Sequence, residues 1–245
     1  TASAYNTRVV FRNGIYGVVS SMKNIEDAHN DPNALFIDIG AKSKEDALKY
    51  VHVGSVCGYC GEYLPLANDL VCSKTFDDRV GCFQLIEALR ENDGTYPNDI
   101  YYVFTVQEEV GCRGSKTTAA FIKPDIGIAV DVTPAHDYPC DLTGSNAIGE
   151  GIGIKVADPS VLCDEDVVAA MEQCCRHKDI PFQYEVIDKG GCDASSMNLS
   201  NFGVRAGGIS AVTRYAHCSS SVISKEDAES GIRLCTAFSK YEFQF

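Results

Sequence analysis

The sequence has few basic residues and no long apolar run. Lysine and arginine total 21 against 34 acidic residues in a chain of 245, which gives a formal net charge of −13. Because nucleic-acid binding needs a basic face, we exclude that class of partner. No apolar stretch reaches the roughly 18 residues of a membrane-spanning helix, so we also expect no membrane segment. The apolar fraction of 45% still supports a full hydrophobic core.

The sequence also lacks a recognisable targeting segment and a disulfide framework. Residues 1–5 have neither the basic nor the apolar region of a secretory signal, and the chain does not begin with methionine. Twelve cysteines are present, but the chain is too long and too periodic for a disulfide scaffold. We therefore expect reduced thiols and a cytoplasmic protein. The single CxxC motif, Cys57–Cys60, has no second pair with which to form a zinc knuckle.

Apolar periodicity divides the chain into two regions. Residues 1–72 read as a small β-rich domain, with a hairpin predicted at Asn13-Gly14. Residues 73–245 alternate helix and strand, which predicts an α/β layered domain. The elements predicted in the second region are helices at 78–91, 114–122, 164–178 and 226–241 and strands at 100–106, 126–131, 182–186 and 209–213.

Acidic residues follow the predicted strands of the second region and precede its first helix. Glu108 and Glu109 come directly after one strand, and Asp131 ends the next. Asp77 and Asp78 stand where the first long helix begins. Ligands of open α/β sheets bind at the carboxyl ends of strands, so we expect these groups to lie close together. Like charges in one place need a compensating cation.

Each of these residues also has a simpler explanation. An aspartate pair before a helix often provides a cap, and Asp77 and Asp78 fit that role. Glu108 and Glu109 fit exposed charges at a strand end, and Asp131 fits a buried carboxylate that accepts structural hydrogen bonds. Adjacent carboxylates do not fit a glycosidase, whose two carboxylates flank the scissile bond about 5–9.5 Å apart.

One histidine directly follows a predicted core strand of the second region. His217 comes four residues after strand 209–213, and His136 is the reserve candidate because it lies five residues after Asp131. Carboxylates together with an imidazole favour a two-metal hydrolase. No nucleophile elbow and no dinucleotide-binding fingerprint competes with that prediction. The remaining histidines are His29, His52 and His177.

Five motifs occur in a fixed order along the chain. They are Phe76–Gly81 (FDDRVG), Thr105–Gly111 (TVQEEVG) followed by Arg113-Gly114, Ala129–Thr133 (AVDVT), Gly190–Ala194 (GGCDA) and Arg214–His217 (RYAH). Together they resemble metallopeptidase family forty-two, from about Arg8 to the C-terminus. That family contains glutamyl, leucyl, lysyl and deblocking aminopeptidases. Many of them assemble as tetrahedral dodecamers, and some relatives carry an endoglucanase label.

The resemblance implies a fold and a set of partners. Residues 73–245 would form a three-layer α/β/α metallopeptidase domain, and residues 1–72 would form part of a PDZ-like dimerisation domain. The substrates would be peptides, from which N-terminal residues are removed. The chain would be a homo-oligomer built from dimers, possibly a dodecamer.

The resemblance also implies metal ligands and a general base. Asp77 would bridge two divalent ions, which could be Zn²⁺, Co²⁺ or Mn²⁺. Glu109 and His217 would hold one ion, and Asp131 would hold the other. Glu108 would take a proton from the attacking water and deliver it to the leaving amine.

One departure from the family pattern affects the metal site. The family has an H-x-D segment before its PDZ-like insertion, and its histidine binds the same ion as the equivalent of Asp131. The present sequence starts inside the insertion, so we expect an N-terminally truncated main domain. We also expect one ion to be held more weakly than the other and the isolated chain to be impaired.

Two alternative functions remain open from the sequence. A non-catalytic homologue would serve as an assembly or peptide-binding module through its PDZ-like part. A metal-dependent deacylase or carboxypeptidase would instead prefer substrates with a blocked amine and a free carboxylate.

Overall fold

The computed structural model describes residues 2–24, 31–140 and 143–243. His29 therefore lies outside the described residues. No helix in these three ranges is long and apolar enough to cross a membrane. The chain divides into two compact units: the first contains Thr1–Leu64, Cys72–Thr75 and His217–Ser221, and the second contains Pro65–Val71, Phe76–Ala216 and Val222–Phe245.

The first unit contains a four-stranded antiparallel sheet in the order β3-β2-β1-β4. β1 and β2 pair across Asn13-Gly14, which confirms the predicted hairpin, and Gly14 has the positive φ of 89° that this turn requires. Ser43 caps the short helix α1 by accepting a hydrogen bond from the Asp46 amide. The elements are β1 (Arg8–Phe11), β2 (Tyr16–Ser21), β3 (Leu35–Asp38), α1 (Lys44–Ala47) and β4 (Cys57–Tyr59).

The rest of the chain forms a mixed α/β structure. Its strands follow the order β10-β8-β11-β12-β6-β5, with β7 beside β11 and β9 beside β8. The elements are β5 (Leu64–Pro65), β6 (Leu70–Ser73), α2 (Phe76–Arg90), α3 (Arg113–Ile122), β7 (Ile126–Pro134), β8 (Ile152–Asp158), β9 (Val161–Leu162), α4 (Glu165–Lys178), β10 (Phe182–Val186), α5 (Asp193–Asn198), β11 (Arg205–Arg214), β12 (Ser221–Ser224) and α6 (Lys225–Ser239). The four predicted helices and three of the four predicted strands are confirmed within a few residues.

Apolar side chains of β7 alternate between two clusters. Ile128 and Val130 pack against the larger cluster, whereas Ala129 between them belongs to the smaller one. This is the period of two that a strand imposes on its side chains. β11 pairs in parallel with β7 along the whole strand, from Arg205 opposite Ile126 to Thr213 opposite Pro134. Five cysteines are buried, and all twelve thiols are free.

The predicted strand at residues 100–106 is wrong. Residues 101–105 have no regular secondary structure, although their β-branched and aromatic composition suits a strand. A strand needs a hydrogen-bonded neighbour, and among the described residues β11 is the one strand paired with β7. Tyr101 and Thr105 instead line a cavity of about 880 Å³ together with residues of β7. Residues 101–105 have the composition of a strand, but none of the described residues pairs with them in a sheet.

Candidate active site

The two aspartates at the start of α2 have different surroundings. The backbone of Asp77 and Asp78 is not helical, and the peptide bond between them is cis. Asp78 Oδ1 accepts a hydrogen bond of 3.0 Å from the Gly81 amide. This bond satisfies an amide of the first helical turn, so the capping explanation holds for Asp78. Asp77 is half-buried, and one of its carboxylate oxygens lies within 4.8 Å of an oxygen of Glu109.

Residues 106–112, which we call the glutamate turn, carry the two adjacent glutamates. The amides of Gly111 and Cys112 donate to the Glu108 carbonyl at 2.9 and 2.8 Å. An oxygen of Glu109 lies within 4.8 Å of an oxygen of Asp77. An oxygen of Glu108 instead lies within 4.8 Å of potential ligand atoms of Cys112 and Asp193. The two neighbouring carboxylates therefore lie close to different sets of side chains.

Asp131 lies on β7, where its register partner on β11 is Ser210. Its Oδ1 accepts a hydrogen bond of 2.8 Å from the Val132 amide. The carboxylate lines the 880 Å³ cavity between residues 97–105 and β7. Eight acidic residues line that cavity, and six of them are close enough to affect one another's pKa: Asp77, Asp78, Glu108, Glu109, Asp131 and Asp193.

Three of these carboxyl groups have raised pKa values. Burial, followed by the charges of Asp131 and other carboxylates, raises the pKa of Asp78. Burial and neighbouring carboxylates likewise raise the pKa values of Asp131 and Glu108. The charges that raise these pKa values are all negative, so the cluster favours a cation. Carboxylate oxygens suit Zn²⁺, Co²⁺ and Mn²⁺, and a divalent ion would reverse these shifts. The residues present therefore fit metal ions.

Sequence reasoning gave no role to Asp193 or Cys112. Asp193, Cys112 and Glu108 each offer one potential ligand atom, and these atoms lie within 4.8 Å of one another. The Cys112 thiol donates to Glu108 Oε1 at 3.4 Å, and burial raises the pKa of this thiol to about 12. Asp193 belongs to the motif GGCDA, which was the only sequence signal that could have pointed to it.

The two histidine candidates have different positions. His217 comes three residues after the end of β11 and belongs to the first unit, so its role as a ligand stays a prediction. His136 is not among the residues that line the acidic cavity. Its ring packs so closely on Gly144 that an added Cβ would lie 2.3 Å from Cε1. His136 thus has a packing role in its own loop.

Carboxylates gathered on one cavity, on β7, in the glutamate turn and at the start of α2, in a mixed α/β fold, are typical of a metallohydrolase. Comparison with known protein families shows to which family of metallohydrolases the chain belongs. The model of the M42 glutamyl aminopeptidase family matches residues 3–234. The chain belongs to this family of metal-dependent aminopeptidases.

Individual relatives agree with this assignment. A putative aminopeptidase of Acetivibrio thermocellus is 42% identical over 228 residues, which cover 93% of this chain and 68% of that protein. The aminopeptidase APDkam598 of the archaeon Desulfurococcus kamchatkensis is 35% identical, with a TM-score of 0.89 over 98% of this chain and 70% of that one. The Pyrococcus horikoshii TET1 peptidase is 28% identical, with a TM-score of 0.82 over 99% of this chain and 74% of its own. Its structure shows that it can assemble into a tetrahedron or a large octahedral shell.

Proposed function

We propose that the chain removes N-terminal residues from peptides with two divalent ions and with Glu108 as general base. The observation that carries this proposal is the cluster of six acidic residues on one cavity. Burial, and then the charges of neighbouring carboxylates, raise the pKa values of Asp78, Asp131 and Glu108, and such perturbed groups in a cleft are typical of catalytic sites.

The proposed ligands are Asp77 for both ions, Glu109 and His217 for one, and Asp131 for the other. The short distance between the carboxylates of Asp77 and Glu109 supports their shared ion. The charge of Asp77 is the first neighbouring charge that raises the pKa of Asp131, which supports a shared ion for these two groups as well. Three residues of chain span at most roughly 10 Å, so His217 stays near the end of β11.

Glu108 fits the role of proton carrier. When bound, the ions supply Lewis-acid activation of water and of the scissile carbonyl. Burial raises the pKa of Glu108 above its ordinary value, which brings it closer to neutral pH, where proton transfer in both directions is efficient. Its carboxylate would take a proton from the attacking water and return it to the leaving amine.

The activity test compares wild type with Glu108→Gln on aminoacyl-p-nitroanilides in the presence of Co²⁺, Zn²⁺ or Mn²⁺. Loss of the general base should reduce kcat by about 10²- to 10⁴-fold while bound metal is retained. Glu91→Gln, at an exposed position just after α2, is the matched control and should keep full activity. Equal turnover by wild type and Glu108→Gln would contradict the proposed mechanism.

The same assay separates the alternatives. Turnover only of substrates with a blocked amine and a free carboxylate would support a deacylase or a carboxypeptidase. Absence of turnover with both substrate types would support a non-catalytic module.

The two ions should differ in affinity in this 245-residue chain. Asp77, Glu109 and His217 are proposed for one ion, but only Asp77 and Asp131 for the other. Changing a group that merely supports a ligand can lower metal affinity about 10–100-fold, so a site with one ligand fewer should be weaker by at least that factor. Mass-spectrometric metal analysis after dialysis should find one tightly held equivalent. Two tightly held equivalents per chain would contradict the proposed difference in affinity between the two ions.

We further propose the finer architecture that the family resemblance implies. Residues 73–245 would form three layers, with helices on both faces of the sheet, which the two apolar clusters on β7 support. Residues 1–72 would be a PDZ-like domain that pairs chains into dimers. Light scattering after size-exclusion chromatography should give a homo-oligomer, and a monomer at micromolar concentration would contradict the proposed dimer.

A further inference from the structure

One carboxylate connects the two ends of the glutamate turn. Asp193 Oδ2 accepts a hydrogen bond of 2.7 Å from Thr105 Oγ1, and Asp193 Oδ1 accepts one of 2.6 Å from Ser115 Oγ. Thr105 immediately precedes the turn, and Ser115 lies in the first turn of α3, which follows it. Asp193 therefore spans the segment that carries Glu108 and Glu109.

The position of Asp193 at the start of α5 does not explain these contacts. A carboxylate in the first turn of a helix is favoured by the helix dipole, but that effect requires no distant partner. Both hydrogen bonds of Asp193 reach residues far away along the chain, by 88 positions to Thr105 and by 78 to Ser115. Ser115 is only 2% exposed, and its hydroxyl also lies 3.0 Å from the Cys112 carbonyl oxygen and 2.6 Å from Ser196 Oγ, so Asp193 is one of three partners of a buried group.

The backbone of the glutamate turn needs such support. Gln107 and Cys112 have φ values of 61° and 51°, in the left-handed region that residues with a side chain rarely adopt. The two ends of the turn are also pressed together: a Cβ added at Gly114 would lie 2.6 Å from Val106 N and O. Residues held in such conformations persist only when their surroundings fix them, and they concentrate at active sites.

We propose that Asp193 is a positioning residue that holds the glutamate turn in shape through Thr105 and Ser115. It thereby places Glu109 for metal binding and Glu108 for proton transfer. This inference rests on the proposed function for the roles of the two glutamates. The hold on the turn itself is a property of the fold and can be measured without turnover.

The test compares Asp193→Ala, Thr105→Val and Ser115→Ala with the control Asp188→Asn. Asp188 is an exposed carboxylate in the loop before α5 and outside the cavity. Hydrogen exchange followed by mass spectrometry should show at least about tenfold faster exchange at residues 106–112 in Asp193→Ala, because local opening would become easier. Co²⁺ affinity should fall about 10–100-fold. Thr105→Val and Ser115→Ala should each reproduce part of both effects, and the control neither.

Thr105→Val and Ser115→Ala each remove only one of the two contacts, so they still test the proposal if Asp193→Ala fails to fold. Faster exchange at residues 106–112 in Thr105→Val together with weaker Co²⁺ binding supports the proposal. Unchanged exchange in the turn of all three variants overturns it. Lost Co²⁺ affinity in Asp193→Ala, with normal affinity and exchange in the other two, also overturns it and makes Asp193 a direct ligand. An error in the proposed aminopeptidase function would be detected separately, because Glu108→Gln would then have the same turnover as wild type.

Discussion

Single residues in this protein take their roles from burial and from the charges around them. Asp77 and Asp78 are neighbours, yet Asp78 caps α2 while Asp77 lies beside Glu109. Lys155 offers a second example, because it is 2% exposed and pairs with two acidic side chains, Asp158 at 3.2 Å and Glu185. These ion pairs raise the pKa of its ammonium group even though burial opposes the charge.

Replacing Lys155 by methionine should destabilise the protein strongly. Glu185 is fully buried and would lose its counter-ion, which costs about 3–5 kcal/mol in comparable cases. Urea unfolding at neutral pH measures the loss. Lys49→Met, which removes an exposed pair with Asp46, should cost at most about 1 kcal/mol. Equal losses in the two variants would show that the Lys155 pair contributes no more than a surface pair.

Part of the candidate site could be predicted from single residues of the sequence. Asp77, Glu108, Glu109 and Asp131 were proposed because each ends or follows a predicted strand or precedes a predicted helix, and all four line one cavity. They do so although residues 101–105 form no strand and β7 continues past Asp131 to Pro134. Asp193 was not proposed in this way, because the six-residue helix α5 that it begins was not predicted, and its side-chain contacts are with residues about 80 positions away. No local pattern encodes contacts of that kind.

Strands and helices depend on different kinds of partner, and this difference decides which of them the sequence predicts. A helix satisfies its own backbone, so α2, α4 and α6 follow from periodicity and from caps such as Asp164, which accepts from two amides of α4. A strand depends on a neighbour that can come from anywhere in the chain. Residues 100–106 have the composition of a strand but pair with none of the residues that the structure describes, so composition alone gave the wrong answer there.

α2 requires glycine at position 81. A Cβ at Gly81 would lie 2.5 and 2.6 Å from the two Asp78 carboxylate oxygens and 2.8 Å from the Val130 carbonyl oxygen. Gly81→Ala should therefore destabilise the protein by about 1–3 kcal/mol through overpacking, although alanine is the better helix former. Denaturant unfolding gives the value, with Gly58→Ala as the control, because a Cβ there meets nothing within 4 Å. A stabilised Gly81→Ala variant would show that Asp78 can move at no cost.

The first turn of α6 should make stability depend on pH. Asp227 is 2% exposed, and burial raises its pKa although its carboxylate accepts hydrogen bonds from the Gly149 and Gly151 amides. The folded state therefore keeps this proton to higher pH than the unfolded state. The contribution of Asp227 to stability is full below the unfolded pKa of about 3.9 and is lost as the pH rises through its raised folded pKa.

Asp227→Asn tests this sign directly, because asparagine has no proton to lose. The free energy of unfolding of wild type, minus that of the variant, should fall as the pH rises from about 3.5 to about 7. Chemical denaturation at a series of pH values measures the difference. A difference that stays flat, or that rises with pH, would contradict a raised pKa in the folded protein.

At the scale of the whole molecule, the net charge of −13 and the acidic cavity both disfavour the compact state without cations. Divalent ions that bind only the folded chain should stabilise it by about 2.7 kcal/mol when present at 100 times their dissociation constant. A thermal melt of chelator-treated protein should therefore shift to higher Tm on titration with Co²⁺. Asp77→Asn should lose most of this shift, because Asp77 is proposed to contact both ions, whereas Asp93→Asn, at an exposed loop, should keep it. A Tm independent of Co²⁺ in the wild-type protein would show that the carboxylates are not gathered for metal.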